Sequence, residues 1–248
     1  MSKIGLQLYT LRAACADDLE AVLHEVGELG FDGVELFDLH GHSARDVRKW
    51  LDRAGLVAAG RHAGLAELQS DLSALGDELA TLGTDRLALS WIDPPESAQD
   101  AQAVVQQITA IAQHARERGL RLGFHNHWSE LEALDGEQTT LDLLRALPAD
   151  LLWLELDLGW IWAAGADPVE QLERTRGRCP LVHVKDLQSG PHHVPVGQGD
   201  VDYARIVPAA EAVGAEWLIV EQDEIDGEPL DAVARSLSAV RSMIGART

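Results

Sequence analysis

Short β-like runs alternate with helical segments along the whole 248-residue chain, eight of each, and no other feature limits the fold so strongly. The strand runs fall at residues 4–10, 32–37, 56–63, 85–91, 121–127, 151–157, 181–186 and 217–223, and the helical segments at 17–29, 43–54, 65–82, 97–118, 139–147, 167–176, 202–213 and 229–244. Gly30, Gly55, Gly83, Gly119, Gly177 and Gly214 each follow a last helical turn, where a left-handed cap is easiest for glycine. Eight strand-helix units predict a single α/β domain over residues 1–248, a closed (β/α)8 TIM barrel with its active site at the C-terminal strand ends. An open doubly wound sheet does not readily produce so regular a repetition.

Successive strand residues point to opposite faces, so parity separates two environments. One parity is apolar: Leu6 and Leu8, Val34 and Leu36, Leu122 and Phe124, Leu154 and Leu156, Val182 and Val184, Leu218 and Val220. These residues should meet the helices. The other parity carries Gln7, Glu35, His62, His125 and His127, Glu155 and Asp157, His183 and Lys185, Glu221 and Asp223, which should face the barrel axis. The stretch 151–186 condenses the pattern: two strand runs with polar C-terminal ends flank a helix opened by Asp167 as N-cap and Pro168 at the first helical position. Long connections at 127–138, 158–166 and 187–201 lie at the same end of the barrel, where loops carry function. His192 and His193, in the last of them, read as an exposed pair.

Composition closes off several classes. The 20 basic and 41 acidic residues give a formal charge of -21, which opposes a phosphate backbone, so nucleic acid is not an expected partner. No stretch approaches the ~20 apolar residues of a membrane span, and MSKIGLQLYT enters a strand pattern at once; a cytoplasmic protein without a membrane partner is expected. Cys15 and Cys179, the two cysteines, are far apart and form neither a disulfide framework nor a thiolate metal motif.

If the barrel closes, Glu130, Asp157, His183 and Glu221 arrive from four consecutive strand ends. One imidazole and three carboxylates make a hard, oxygen-rich shell for one divalent metal, Mn²⁺ first, with Mg²⁺, Co²⁺ and Zn²⁺ also compatible. His62 is a candidate acid/base. Gln7, Glu35, His125 and His127 are candidates for substrate hydroxyls, and Trp91 and Trp160 for packing on a sugar ring.

The segments LQLYTLR (6–12), GFDGVEL (30–36), FHNHWSEL (124–131), ELDLGWIWAAGADP (155–168), VHVKD (182–186), VGQGDVDY (196–203) and IVEQDE (219–224) resemble the xylose-isomerase-like barrels, especially the sugar phosphate isomerases/epimerases. The resemblance implies metal ligation by Asp157, His183 and Glu221. It gives the strand-five position to Glu130, as in branches with the HxH pattern; in the epimerase branch a glutamate precedes the asparagine that Asn126 matches, whereas this chain reads GFHN. His125 or His127 is the rival ligand.

The chemistry so implied is isomerisation or epimerisation of a sugar, keto-sugar or sugar phosphate by proton transfer through a metal-bound enediolate. Glu130 and Glu221 would be the bases and Lys185 the general acid or oxyanion anchor. The alternative is a lyase or dehydratase acting on a 3-keto-sugar or inosose through the same enolate. The expected partner is a small carbohydrate, and the resemblance suggests a homodimer. An apurinic-site endonuclease needs a trinuclear zinc cluster and a basic surface, which the acidic balance opposes; a non-catalytic sugar-binding barrel would take up no divalent metal.

Overall fold

Parallel pairing carries the chain around a full circle in the computed structural model, which describes residues 1–136 and 138–245. The barrel strands are β1 (Lys3–Gln7), β2 (Gly33–Leu36), β3 (Val57–Ala63), β4 (Arg86–Leu89), β5 (Arg121–His125), β6 (Trp153–Asp157), β7 (Leu181–Val184) and, beyond a hairpin of β8 (Asp186–Gln188) with β9 (His192–Val194), β10 (Trp217–Val220). They close in the order β1-β10-β7-β6-β5-β4-β3-β2. The expected (β/α)8 barrel is therefore present.

Each barrel strand is shorter than the run that suggested it. Tyr9, Phe37, His127 and Asp223 lie beyond the paired residues, where the backbone leaves the ladder and the side chains rise around the mouth. The helices are α1 (Arg12–Leu29), α2 (Ala44–Ala54), α3 (Leu65–Ser70), α4 (Leu72–Leu82), α5 (Ala98–Glu117), α6 (Thr140–Arg145), α7 (Leu158–Ala163), α8 (Pro168–Arg174), α9 (Tyr203–Val213) and α10 (Pro229–Gly245).

In the first unit the run expected as strand to residue 10 becomes a 3-10 turn at Leu8–Leu11 and α1 starts at Arg12, ahead of the expected residue 17; three further segments differ from expectation. The single helix expected at 65–82 is two, because Asp71 leaves helical geometry and its carboxylate accepts from Ser73 and Ala74 N–H, capping α4. The connection at 158–166 contains α7, started by Asp157, whose Oδ1 accepts from Trp160 N–H at 2.9 Å. The connection at 187–201 holds the β8–β9 hairpin, and strand alternation there leaves His192 exposed but buries His193.

The two parities sort as the pattern requires. Leu6, Leu36, Phe124, Leu154, Val182 and Leu218 are buried between strands and helices, each apolar side chain of this size contributing about 1.5–3 kcal/mol on full burial. Inside the barrel, the N-terminal end is plugged by Trp153, Trp217, Leu181, Ile219, Ala59 and Ala88. Two indoles fit there because glycines face them: a Cβ on Gly33 would stand 2.9 Å from Trp217 Cη2, and one on Gly123 would overlap the Trp153 ring. Above this apolar floor the inward residues become polar.

Candidate metal centre

The inward residues form two polar tiers. The lower tier joins Gln7, Glu35, His62, Glu155 and His183. Gln7 Nε2 donates to Glu35 Oε2 at 2.8 Å, His183 Nε2 donates to the same oxygen at 2.8 Å, and His62 Nε2 lies 2.6 Å from Glu155 Oε2 and 3.2 Å from Glu35 Oε2. Burial would drive His62 toward its neutral form, but the Glu35 and Glu155 charges overcome it and push its pKa up to about 10. Against its own burial, Glu35 is held below the usual carboxylate range by His62 and His183. Gln7, Glu35 and Glu155 are fully buried, so they support the upper tier from below.

The upper tier reaches the cavity through Glu221 and Asp223. His183 Nδ1 lies 2.7 Å from Glu221 Oε2, and Lys185 Nζ is 3.0 Å from Asp157 Oδ2, 2.9 Å from Glu221 Oε2 and 2.9 Å from Asp223 Oδ2. Tyr203 holds the lysine backbone, its hydroxyl donating to Lys185 C=O at 2.7 Å and accepting Lys185 N–H at 2.8 Å. Burial alone would lower the lysine pKa, yet Asp157, Glu221 and Asp223 raise it, so Lys185 is an ammonium. Despite burial, Glu221 is held well below the usual range by Lys185 and His183. Asp157 is pushed up to about 6, because desolvation outweighs its pairing with Lys185. Burial and the neighbouring cationic His183 and His62 keep His125 neutral.

His125, Asp157, His183 and Glu221 each offer one ligand atom, all within 4.8 Å of one another; His62, His125, Glu155 and His183 form a second such group beneath. Two carboxylates and two imidazoles suit a divalent cation; the buried His125 Nδ1 has no hydrogen-bond partner, and Asp157 Oδ2 meets only the Lys185 ammonium. The residues thus fit a metal in the upper tier. With His183 Nδ1 turned toward Glu221, its Nε2–H stays on Glu35, which fixes ring orientation as carboxylates behind metal-bound histidines commonly do.

Of the residues singled out in the sequence, Asp157, His183, Glu221 and Lys185 come together here. His62, His125, His127, Trp91 and Trp160 line the adjoining cavity of about 460 Å³. Gln7 and Glu35 lie beneath it. Glu130 stands apart and belongs to neither group: it sits in the 3-10 turn Ser129–Leu131, where its carboxylate accepts from His127 N–H at 2.7 Å and from Ser129 Oγ–H at 3.0 Å. From strand five it is His125 that lies within reach of Asp157, His183 and Glu221. Sequence reasoning left out Glu155, Asp223 and Tyr203. Inward parity marked the first two; nothing local marked Tyr203.

The glycine-rich run VGQGD is filled from within. Asp186 Oδ2 accepts from Gly197 and Gly199 N–H at 2.8 and 3.0 Å, and Oδ1 from Leu187 and Val201 N–H at 2.9 and 3.3 Å.

A closed (β/α)8 barrel with a carboxylate-imidazole cluster on the C-terminal ends of β5, β6, β7 and β10 defines the class. The chain belongs to the xylose isomerase-like TIM barrel family, which it matches over residues 23–243. It is similar to the rhizopine catabolism protein MocC of Rhizobium meliloti, at 27% identity over 86% of this chain and 77% of that protein. It is also similar to the inosose dehydratase of Geobacillus kaustophilus, at 25% identity over 68% of this chain and 62% of that protein. Among solved structures, a sugar phosphate isomerase/epimerase from Parabacteroides distasonis superposes with a TM-score of 0.82 at 22% identity, covering 96% of this chain and 93% of that one.

Proposed function

We propose that this protein is a divalent-metal-dependent isomerase or epimerase of a keto-sugar, aldose or cyclitol, working by proton transfer at the carbon beside a carbonyl. The observation that carries the reading is the convergence of His125, Asp157, His183 and Glu221, with Lys185 among them, at the floor of an aromatic-walled cavity. A divalent cation, Mn²⁺ foremost, would be held by those four side chains and would supply Lewis acidity for a carbonyl and charge neutralisation for an enediolate. Glu221, kept ionised and at the cavity wall, takes the proton. Lys185, an ammonium, gives a proton or a hydrogen bond to the oxygen that gains charge. His127, neutral because burial lowers its pKa to about 3, offers uncharged hydrogen bonds to hydroxyls. Trp91 and Trp160 exclude water from the reacting face.

One observation favours a second reading. With Glu130 turned into its own loop, Glu221 pairs with the Lys185 ammonium, and the other carboxylate on the cavity wall, Asp223, is held by the same lysine. One base beside one acid suits expulsion of a β-hydroxyl, the dehydratase chemistry of an inosose or 3-keto-sugar, and the curated relative from Geobacillus kaustophilus carries that name.

Incubation of candidate ketoses and inososes with the Mn²⁺-supplied protein in deuterated water, followed by NMR, tests both. Deuterium should enter beside the carbonyl; retention of all hydroxyls identifies isomerisation or epimerisation, and loss of one identifies dehydration. Glu221→Gln should abolish the exchange. A chain that takes up no metal and exchanges no proton would sink the proposal.

A further inference from the structure

The partners of the Lys185 ammonium divide into two sets. The first is Asp157 Oδ2 at 3.0 Å and Glu221 Oε2 at 2.9 Å, both on residues of the candidate metal group. The second belongs to neither metal group: Asp223 Oδ2 at 2.9 Å and the face of the Trp160 ring, whose centroid lies 4.9 Å from Nζ.

The β8–β9 hairpin braces the second set. From β9, His193 accepts the Asp223 N–H on Nδ1 at 3.4 Å and meets Trp160 nearly edge to face, with ring centroids 5.4 Å apart. Asp223 and Trp160 line the cavity, and Lys185 does not: its side chain is 1% exposed, against 25% for Asp223. The second set therefore lies on the cavity side of the ammonium.

A divalent cation on Asp157 and Glu221 would take the carboxylates that now neutralise the lysine, and two cations in one buried shell repel. One of them has to yield. The lysine backbone is fixed, because the Tyr203 hydroxyl bonds both its N–H and its C=O, but the four-carbon stem is flexible and leaves Nζ free to shift. Only toward Asp223 and Trp160 does the ammonium keep a carboxylate and an aromatic face that the metal does not use.

We infer that Lys185 is an internal competitor for the metal carboxylates, and that Asp223, backed by Trp160 and His193, is the positioning residue that receives its ammonium at the cavity wall when a cation binds. Metal uptake and presentation of the lysine to the substrate are then a single event. The inference rests on the proposed metal centre and adds to it a coupling between two of its parts.

Calorimetric titration of the full chain with Mn²⁺ tests the competition. Lys185→Met removes the competitor and should lower the Mn²⁺ Kd at least about fivefold. Asp223→Asn removes the second seat and should raise the Kd about threefold or more, a loss that should vanish in Lys185→Met/Asp223→Asn, because Asp223 acts through the lysine. The unaltered chain gives an independent reading by brief acetic anhydride labelling resolved by mass spectrometry, with Lys3 and Lys49, the other two lysines and both exposed, as references. Mn²⁺ should raise the labelling of Lys185 relative to them about threefold or more, as Nζ moves from between buried carboxylates to the cavity wall. Lys185→Met that binds Mn²⁺ no more tightly, an Asp223→Asn loss that persists without the lysine, or labelling that Mn²⁺ leaves unchanged or lowers overturns the inference. Absence of Mn²⁺ uptake in the unaltered chain and in Lys185→Met alike would sink the metal centre as well, a result the titrations distinguish from failure of the coupling alone.

Discussion

Glu35 and Glu130 are both buried glutamates near one set of ligands, and the difference between them is geometric. Glu35 receives His183 Nε2–H, so it sets the ring that would present Nδ1 to a metal; Glu130 binds the backbone of its own turn. Glu35→Gln should therefore weaken Mn²⁺ binding about 10–100-fold in calorimetric titration, the usual cost of losing an outer carboxylate. Glu130→Gln should leave metal affinity within about twofold, since its carboxylate touches no ligand group in the structure. Asp157→Ala removes a proposed ligand and should abolish stoichiometric uptake, measured as metal content after desalting.

At the scale of elements, the barrel floor explains why these strands can hold charged groups at all. The strands sit close because Gly5, Gly33 and Gly123 leave space for Ile219, Trp217 and Trp153, and that packed plug keeps water from entering beneath the lower tier. Gly33→Ala places a methyl against Trp217 and the Val57 carbonyl, and overpacking of this sort costs about 1–3 kcal/mol. For a chain of this size each kcal/mol lowers Tm by about 2–4 °C, which a calorimetric melt resolves. The loop elements follow a different rule. Asp71 and Asp157 each start a helix by accepting backbone N–H groups, and Asp186 folds a glycine-rich loop around its own carboxylate. A helix-breaking acid in mid-run is visible in sequence only as one more polar residue, so the split into α3 and α4 and the presence of α7 emerged from the structure.

At the scale of the whole molecule, the four candidate ligands come from the ends of four neighbouring strands, β5, β6, β7 and β10, so a bound cation would tie together parts of the chain from His125 to Glu221. Such a cation would bind the folded chain alone, and at a concentration of 100 times its Kd it should raise stability by about 2.7 kcal/mol, seen as a higher Tm that EDTA reverses. No helix among the described residues is long and apolar enough to cross a membrane. The sequence by itself determined the eightfold strand-helix count, the apolar outer parity and the polar inner one, because alternation and periodicity are local consequences of backbone geometry. It also marked Asp157 and His183, on inward positions of paired strands, and Lys185 and Glu221, one residue beyond the ends of β7 and β10, where parity still aims a side chain. Only the tertiary structure brings His125 beside them and leaves Glu130 apart, since Glu130 is governed by the hydrogen bonds of a turn and His125 by the register of β5 against β6. It likewise decided that VGQGD is closed by Asp186 and that Lys185 is shared by three carboxylates, because both depend on groups brought together from separate strands and loops, at distances no sequence spacing encodes.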